Sequence, residues 1–344
     1  MAERLYFLDS LRAIAIVMVV GVHSMGYNSP LEPNQQQIIL FIVHTVAVPI
    51  FFLVDGYLLT RSIIESKRYS YKSYIESSFL RLVVPWVIFT VIYTMLRYVF
   101  ELSGFFAEHV IVGHSFQEVL INAYGSVNAG QMYFLLSLFL IRVIAPFMVK
   151  QIIKLKYSIG LLLSVCFFII CKLLLPIVSQ HLQIVGGQEP ITHAFWGIQF
   201  FILGVIVFKT SLIKDLRKLF YPFVIVFIGS LFIRYKFNCS VLDDLIQYLY
   251  LITLFLFFSL FQSKILLLDA VGKNTMGIYL IHAPVVLKCV ALIVTKKISN
   301  PLISYFGILF GTLLVTMIIV TLINNIPYGR ILFGTPCQSK NCRK

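Results

Sequence analysis

The sequence predicts an all-α integral membrane protein built as a bundle of about ten transmembrane helices. Of its 344 residues, 59% are hydrophobic and only 12% are charged, whereas a soluble domain usually carries about 25% charged residues. The mean hydropathy is +0.92, and the apolar residues form continuous runs instead of the alternating pattern of a membrane β-barrel. These observations exclude a water-soluble enzyme.

Ten apolar runs, bounded by polar residues, Gly or Pro, are the predicted helices. They cover residues 6–26, 38–60, 79–100, 131–149, 158–178, 194–208, 217–235, 244–262, 272–294 and 303–325. About 20 residues cross a bilayer as a helix, in which every backbone polar group is bonded within the segment. The stretches between the runs are short. We therefore expect one transmembrane domain over residues 1–335 and a short basic tail over residues 336–344.

The positions of Lys and Arg predict that both termini lie in the cytoplasm. In this orientation the outer segments contain only Arg234, Lys236, Lys296 and Lys297, and the other loop Lys and Arg residues lie inside. Short cytoplasmic loops of membrane proteins are enriched in Lys and Arg. This enrichment accounts for the net charge of +14 without a nucleic-acid partner. The first run lacks a cleavage pattern of small residues and is expected to be retained as a span.

The first predicted span carries Asp9, Arg12 and His23, and ionisable side chains within a span are functional candidates because they are expensive in lipid. Arg12 and His23 are eleven positions apart, which is three helical turns plus about 20°, so both project from one face with a rise of about 16 Å between them. A guanidinium near the cytoplasmic end suits a phosphate, and an imidazole near the outer end suits proton removal from a hydroxyl. The alternative is structural: Arg12 pairs with Asp9 or another carboxylate, and His23 is an interfacial histidine.

Two more ionisable residues are expected at the depth of Arg12. Asp55 ends the second predicted span at the cytoplasmic level, where an ion pair with Arg12 would offset part of the desolvation cost of each. Arg81 begins the third span at the same level. Together with Arg12 and Arg61 it would suit an anionic, nucleotide-like donor, and the alternative for Arg61 and Arg81 is anchoring at the membrane surface.

Further histidines fall inside or between the spans. His282 lies near the middle of the ninth predicted span, where it needs a partner or a water-filled cavity, and His44 shares the outer depth of His23. Arg97 is expected to extend its side chain to the outer surface. Four outer histidines are expected to be solvated and are too widely spaced for a metal site, and no metal is expected from the cysteines either. These histidines are His109, His114, His181 and His193.

The sequence has no soluble-hydrolase or phosphate-loop motif, but its polar positions resemble the acyltransferase 3 family of bacterial membrane proteins. The most specific match is the opening Leu8-Asp9-Ser10-Leu11-Arg12-Ala13-Ile14-Ala15, followed by His23. Further matches are Val48-Pro49-Ile50-Phe51-Phe52, Gly56-Tyr57, Arg81-Leu82 with Pro85, Gln131-Met132-Tyr133-Phe134-Leu135, and the stretch from Gly272-Lys273-Asn274 to His282-Ala283-Pro284.

The resemblance implies a membrane enzyme that adds acyl groups, usually acetyl, to saccharides and related acceptors, with Arg12 and His23 as essential residues. The chain departs from the family pattern at three positions. Asp55 stands where the family usually has Ser, Ser78 where it often has Arg, and Tyr133 where it tends to have Trp.

We therefore expect an O-acyltransferase of a bacterial inner membrane that moves an acetyl group from cytoplasmic acetyl-CoA to a hydroxyl of a saccharide, including a polyprenyl-linked one. Arg12 and Arg81 would hold the donor, Asp55 would orient Arg12, and His23 would act as general base or as an acyl relay. Tyr133, His282 and His44 would line the cavity.

Two other classes of function fit the same residues. A transporter could move a glycan precursor or an acylated intermediate along the polar positions. Alternatively, the protein could be a non-catalytic partner, embedded in the membrane lipid, of a glycan assembly complex. No oligomeric state follows from the sequence.

Overall fold

The computed structural model describes residues 5–27, 31–66, 69–104, 109–156, 166, 169–170, 172–180, 189–212, 215–237, 242–261, 263–326 and 328–334. Over these residues the secondary structure is helical and contains no strand. The predicted all-α class is thus confirmed. The predicted tail, residues 336–344, lies outside the described part of the chain.

Within the described ranges, nine helical segments are long and apolar enough to cross a membrane. They are Tyr6–Ser24, Pro33–Glu65, Tyr71–Leu102, Gly130–Lys154, Pro190–Ser211, Leu216–Phe237, Leu242–Ser259, Thr275–Lys297 and Pro301–Asn325. Each coincides with a predicted run. About half of the tenth run, 158–178, falls outside the described residues.

Fourteen helices are labelled here in chain order. They are α1 (Tyr6–Ser24), α2 (Pro33–His44), α3 (Ala47–Glu65), α4 (Tyr71–Ser78), α5 (Val84–Leu102), α6 (Phe116–Tyr124), α7 (Tyr133–Lys154), α8 (Pro190–Ser211), α9 (Phe220–Phe237), α10 (Leu242–Ser259), α11 (Leu266–Lys273), α12 (Thr275–Ile281), α13 (Leu287–Lys297) and α14 (Pro301–Asn325). Single π-helical turns, Phe79–Val83 and His282–Val286, join α4 to α5 and α12 to α13. The second turn contains Ala283 in an extended conformation, as expected for a residue before Pro.

The helices form two compact units. The first consists of residues 1–57 and 206–318, and the second of residues 58–205 and 319–344. In the first unit α1 is the central helix, since it packs against α2, α10, α11 and α12. Leu11, Ala13 and Ile16 on α1 are fully buried.

The packing of α11 on α1 depends on Gly272. A Cβ at this position would overlap the backbone carbonyl oxygen of Asp9 and lie 2.9 Å from its carbonyl carbon. Small residues allow helix backbones to approach this closely in membrane proteins. Gly272 therefore fixes the distance between α11 and the first turn of α1.

In the second unit the segment after α5 is held by a buried carboxylate. Glu101 accepts a hydrogen bond from Nε of Arg97 at 2.7 Å. It also accepts from the backbone N–H groups of Val110, Ile111 and Val112 at 2.9, 3.1 and 2.9 Å. Arg97 thus pairs with a carboxylate one helical turn later on α5, and its extension to the outer surface stays a prediction.

Gly272→Ala is expected to lower the melting temperature of the detergent-purified protein by several degrees. Overpacking against fixed backbone typically costs about 1–3 kcal/mol. The matched control is Gly229→Ala in α9, where nothing lies within 4 Å of the added Cβ. This control should leave the melting temperature unchanged or raise it, because Ala is the better helix former. Equal melting temperatures for Gly272→Ala and the wild type would contradict the close approach of α11 to α1.

Glu101→Gln is expected to destabilise the protein and to expose residues 109–114 to protease. The substitution leaves the Arg97 charge without its carboxylate, and breaking a buried pair costs about 3 kcal/mol or more. The control is Glu76→Gln, whose carboxylate is 63% exposed and lies 4.0 Å from Lys72, a pair worth at most about 1 kcal/mol. Thermal unfolding and limited proteolysis measure both effects, and identical behaviour of the two variants would count against the anchoring role of Glu101.

Candidate functional site

The helix α1 carries both principal candidate residues of the first unit. It is uninterrupted from Tyr6 to Ser24, with Asp9 in its first turn and His23 in its last turn. The shared face and the rise of about 16 Å between Arg12 and His23, calculated for an ideal helix, therefore apply to it. Both side chains are only partly buried, although most of their neighbours on α1 are buried.

At one end of this helix His23 lies next to His282. The ring centroids are 5.2 Å apart and the ring planes are inclined by 52°. The side chain of His282 is completely buried, with 0% of its surface exposed, whereas His23 is half-buried. The structure thus brings together two histidines that the sequence assigned separately, one as a base and one as a cavity residue.

Backbone carbonyls hold the His282 ring in one orientation. Its Nδ1 lies 2.8 Å from the carbonyl oxygen of Tyr279 and 3.1 Å from that of Ile278. Carbonyl oxygens only accept hydrogen bonds, so Nδ1 carries the proton and Nε2 of the neutral ring is an acceptor. This Nε2 is buried and has no hydrogen-bond partner among the described residues.

A second buried polar group lies beside α1 one turn before Ser24. The Tyr305 hydroxyl, from α14, would be 2.9 Å from a Cβ at Gly21, and it has no hydrogen-bond partner in the described part of the chain. Buried hydroxyls are usually hydrogen-bonded. This half of α1 is therefore flanked by an acceptor from His282 and a hydroxyl from Tyr305.

At the other end of α1, Arg12 pairs with Asp9. Nη1 of Arg12 is 3.8 Å from Oδ1 of Asp9, and 32% of the Arg12 side chain is exposed. The alternative expectation of an Arg12–Asp9 pair is thus met. The pair is loose, and the exposed third of the side chain leaves room for an anionic ligand to bind the guanidinium.

Two lysines accompany Asp269 on and before α11, the helix that packs against this end of α1. Nζ of Lys273 is 2.6 Å and Nζ of Lys264 is 3.5 Å from Oδ2 of Asp269. The hydrogen bond from Lys273 lowers the pKa of Asp269, against the opposing effect of burial, and the charge of Lys264 adds to the lowering. Sequence reasoning missed this group, although Gly272 beside Lys273 was a signal that α11 approaches another backbone.

The other two candidates of the first unit lie on α2 and α3. Asp55 is buried, with 7% of its surface exposed, and its role in orienting Arg12 stays a prediction. His44 is the last residue of α2 and is exposed. Its assignment as a cavity residue also stays a prediction.

The second unit contains Arg81 and Tyr133. Arg81 lies on the π turn and is exposed, and its backbone is in close contact with Gly334, where a Cβ would lie 2.6 Å from the Arg81 Cα. Tyr133 begins α7, and its ring centroid is 4.0 Å from that of His193. The expectation that His193 is solvated is wrong, because the first turn of α8 places it half-buried against Tyr133.

Glu189 holds His193 in place at the start of α8. Its carboxylate accepts hydrogen bonds from the Tyr124 hydroxyl at 2.6 Å and from the N–H groups of Ile191 and Thr192 at 3.0 and 2.6 Å. Burial would raise the pKa of Glu189, but these hydrogen bonds together lower it. The Glu189 carbonyl accepts from Nδ1 of His193 at 2.8 Å. An acidic residue directly before a Pro that begins a helix was the sequence signal for this cap.

One of three comparisons with known proteins identifies a family. A sequence profile of the acyltransferase 3 family, described as an acyltransferase domain, matches residues 5–321. Neither the curated proteins nor the solved structures gave a significant match. The matched range includes every candidate residue described above. The chain therefore belongs to the acyltransferase 3 family and is a multi-pass membrane acyltransferase.

Proposed function

We propose that the protein is an O-acetyltransferase of a bacterial inner membrane, which moves an acetyl group from cytoplasmic acetyl-CoA to a saccharide hydroxyl at the outer face. The observation that carries the proposal is the placement of Arg12 and His23 on one uninterrupted, central helix, with His23 beside a second buried histidine. Family membership supports acyl transfer as the reaction.

His23 has the chemistry of a general base for this reaction. A neutral imidazole nitrogen takes the proton of the acceptor hydroxyl while the hydroxyl oxygen attacks the thioester carbonyl carbon. A C–O bond forms and the C–S bond breaks, which gives an acetyl ester. The departing thiolate takes the proton from the His23 imidazolium and leaves as the CoA thiol. The half-buried position of His23 leaves part of its ring accessible to the acceptor.

Arg12 suits the donor's anionic end. Its partly exposed guanidinium is able to form paired hydrogen bonds with a phosphate. The rise of about 16 Å from Arg12 to His23 is comparable with an extended pantetheine arm, so a donor bound at Arg12 would present its thioester near His23. The predicted roles of Arg81 and Asp55 toward the donor, and of Tyr133 and His44 toward the acceptor, rest on the sequence alone.

Replacement of His23 by Ala is expected to lower transfer of radiolabelled acetyl from acetyl-CoA into membrane glycan by about 10²–10⁴-fold, the usual contribution of a positioned general base. The measurement compares membranes with equal amounts of wild-type and variant protein. The control is His114→Ala, which alters an exposed histidine and should leave labelling unchanged. Unchanged labelling with His23→Ala would overturn the proposal, and loss of glycan export with intact acylation would identify a transporter.

Arg12→Gln is expected to raise the KM for acetyl-CoA by about 10–100-fold, because a hydrogen bond to a charged group is worth about 1.5–3 kcal/mol. Acetyl-pantetheine lacks the nucleotide end, so its KM should change little in the same variant. Arg217→Gln, which removes an arginine paired with Asp215 and half exposed, is the control. An equal increase of KM for both donors would show that Arg12 does not bind the nucleotide end.

A further inference from the structure

The buried Nε2 of His282 is an unsatisfied acceptor in the immediate surroundings of the proposed base. His282 is completely buried, its Nδ1 proton is committed to backbone carbonyls, and its Nε2 lacks a hydrogen-bond partner among the described residues. A buried acceptor without a donor costs about 1–3 kcal/mol. A neighbouring N–H group that reaches this atom would remove that cost, and the ring of His23 lies beside it.

Protonated His23 is the donor that fits this position. The imidazolium formed when His23 takes the acceptor proton has two N–H groups, whereas the neutral ring has one. One N–H faces the reacting oxygen and sulfur, and the other needs an acceptor, since an unpaired charge in apolar surroundings is costly. With a centroid separation of 5.2 Å, nitrogens at the two ring edges are within reach of a hydrogen bond of about 2.9 Å.

We infer that Nε2 of His282 accepts a hydrogen bond from the His23 imidazolium that forms during acyl transfer, so that His282 is a positioning residue for the base. This inference rests on the proposed function. His282 neither gains nor loses a proton in the step: the proton of the acceptor hydroxyl passes to His23 and then to the thiolate. In a catalytic triad a carboxylate accepts a hydrogen bond from the histidine base and stabilises its imidazolium. His282 does the same for His23, but as a neutral group.

Backbone geometry explains why His282 is suited to this role. The ring is fixed by the carbonyls of Ile278 and Tyr279, which belong to the preceding turn of the same chain segment. Ala283, directly after it, is extended and ends the helical path. The orientation of the His282 ring is therefore set by carbonyls of its own chain segment and not by a side chain of another helix.

The test compares four His282 variants by kcat and KM in the acetyl-transfer assay with purified protein. His282→Phe and His282→Leu remove the acceptor, His282→Gln keeps an acceptor oxygen, and His282→Asn keeps one on a shorter side chain. We expect Phe and Leu to lower kcat by about 10–100-fold, less than the 10²–10⁴-fold contribution of the base itself, with both KM values within about threefold of the wild type. Gln should recover at least about tenfold of the lost kcat. Asn should recover less.

Three kinetic results would overturn the inference. One is wild-type kcat in the Phe and Leu variants. Another is a raised KM for the acceptor with kcat unchanged, which would make His282 a binding residue for the acceptor hydroxyl. The third is a Gln variant no faster than the Phe variant, which would reduce His282 to a packing role.

A measurement on the wild-type protein does not depend on the folding of any variant. In ¹⁵N-histidine-labelled protein in lipid bilayers, NMR at neutral pH should show His282 with a protonated Nδ1 and an unprotonated Nε2. A protonated Nε2 would exclude it as an acceptor and overturn the inference. Measuring His23→Ala in the same assay separates the two proposals: a large loss in His23→Ala with none in His282→Phe removes only this inference, whereas full activity in His23→Ala removes the proposed function.

Discussion

The hydrogen bond from Nδ1 of His282 to the carbonyl oxygen of Tyr279 is the constraint on which the chemistry of the first unit depends. It fixes which nitrogen of His282 carries the proton, and so it decides that the other nitrogen, Nε2, is an acceptor. In the reversed tautomer Nε2 would carry an N–H, which could not accept a hydrogen bond from a protonated His23. A backbone contact within one chain segment therefore sets the electrostatics of the neighbouring helix.

Two glycines allow other parts of the first unit to pack closely against the helix α1. Gly272 lets α11 touch the backbone of Asp9, and Gly21 leaves room for the Tyr305 hydroxyl at the other end. Between them, Leu11, Ala13 and Ile16 are fully buried. This enclosed middle holds Arg12 and His23 at a fixed separation. A rigid spacing suits the proposed reaction, in which the donor is bound at Arg12 and reacts near His23.

The sequence was sufficient for the parts of the fold that depend on composition. Nine of the predicted spans coincide with helices of the described chain. The reason is that a continuous apolar run in lipid must form its backbone hydrogen bonds within the segment, as a helix does. The assignment of Arg12 and His23 to one helix face also followed from sequence, since it needs only helical geometry. The family resemblance is confirmed by the match over residues 5–321.

Contacts between distant segments could not be derived in the same way. The approach of His282 to His23 depends on how α12 packs against α1, and the burial of His193 depends on the cap that Glu189 forms. His282 and His193 each lie against a ring from a distant segment, and hydropathy carries no information about that packing.

The account is tested most directly by acetyl transfer in proteoliposomes that contain the purified protein, with acetyl-CoA on the side of the membrane that corresponds to the cytoplasm and a saccharide acceptor on the other. We expect acetyl ester on the acceptor with the wild-type protein, none when donor and acceptor are exchanged between the two sides, and at most a trace with His23→Ala. Ester formation at the wild-type rate by His23→Ala would contradict it.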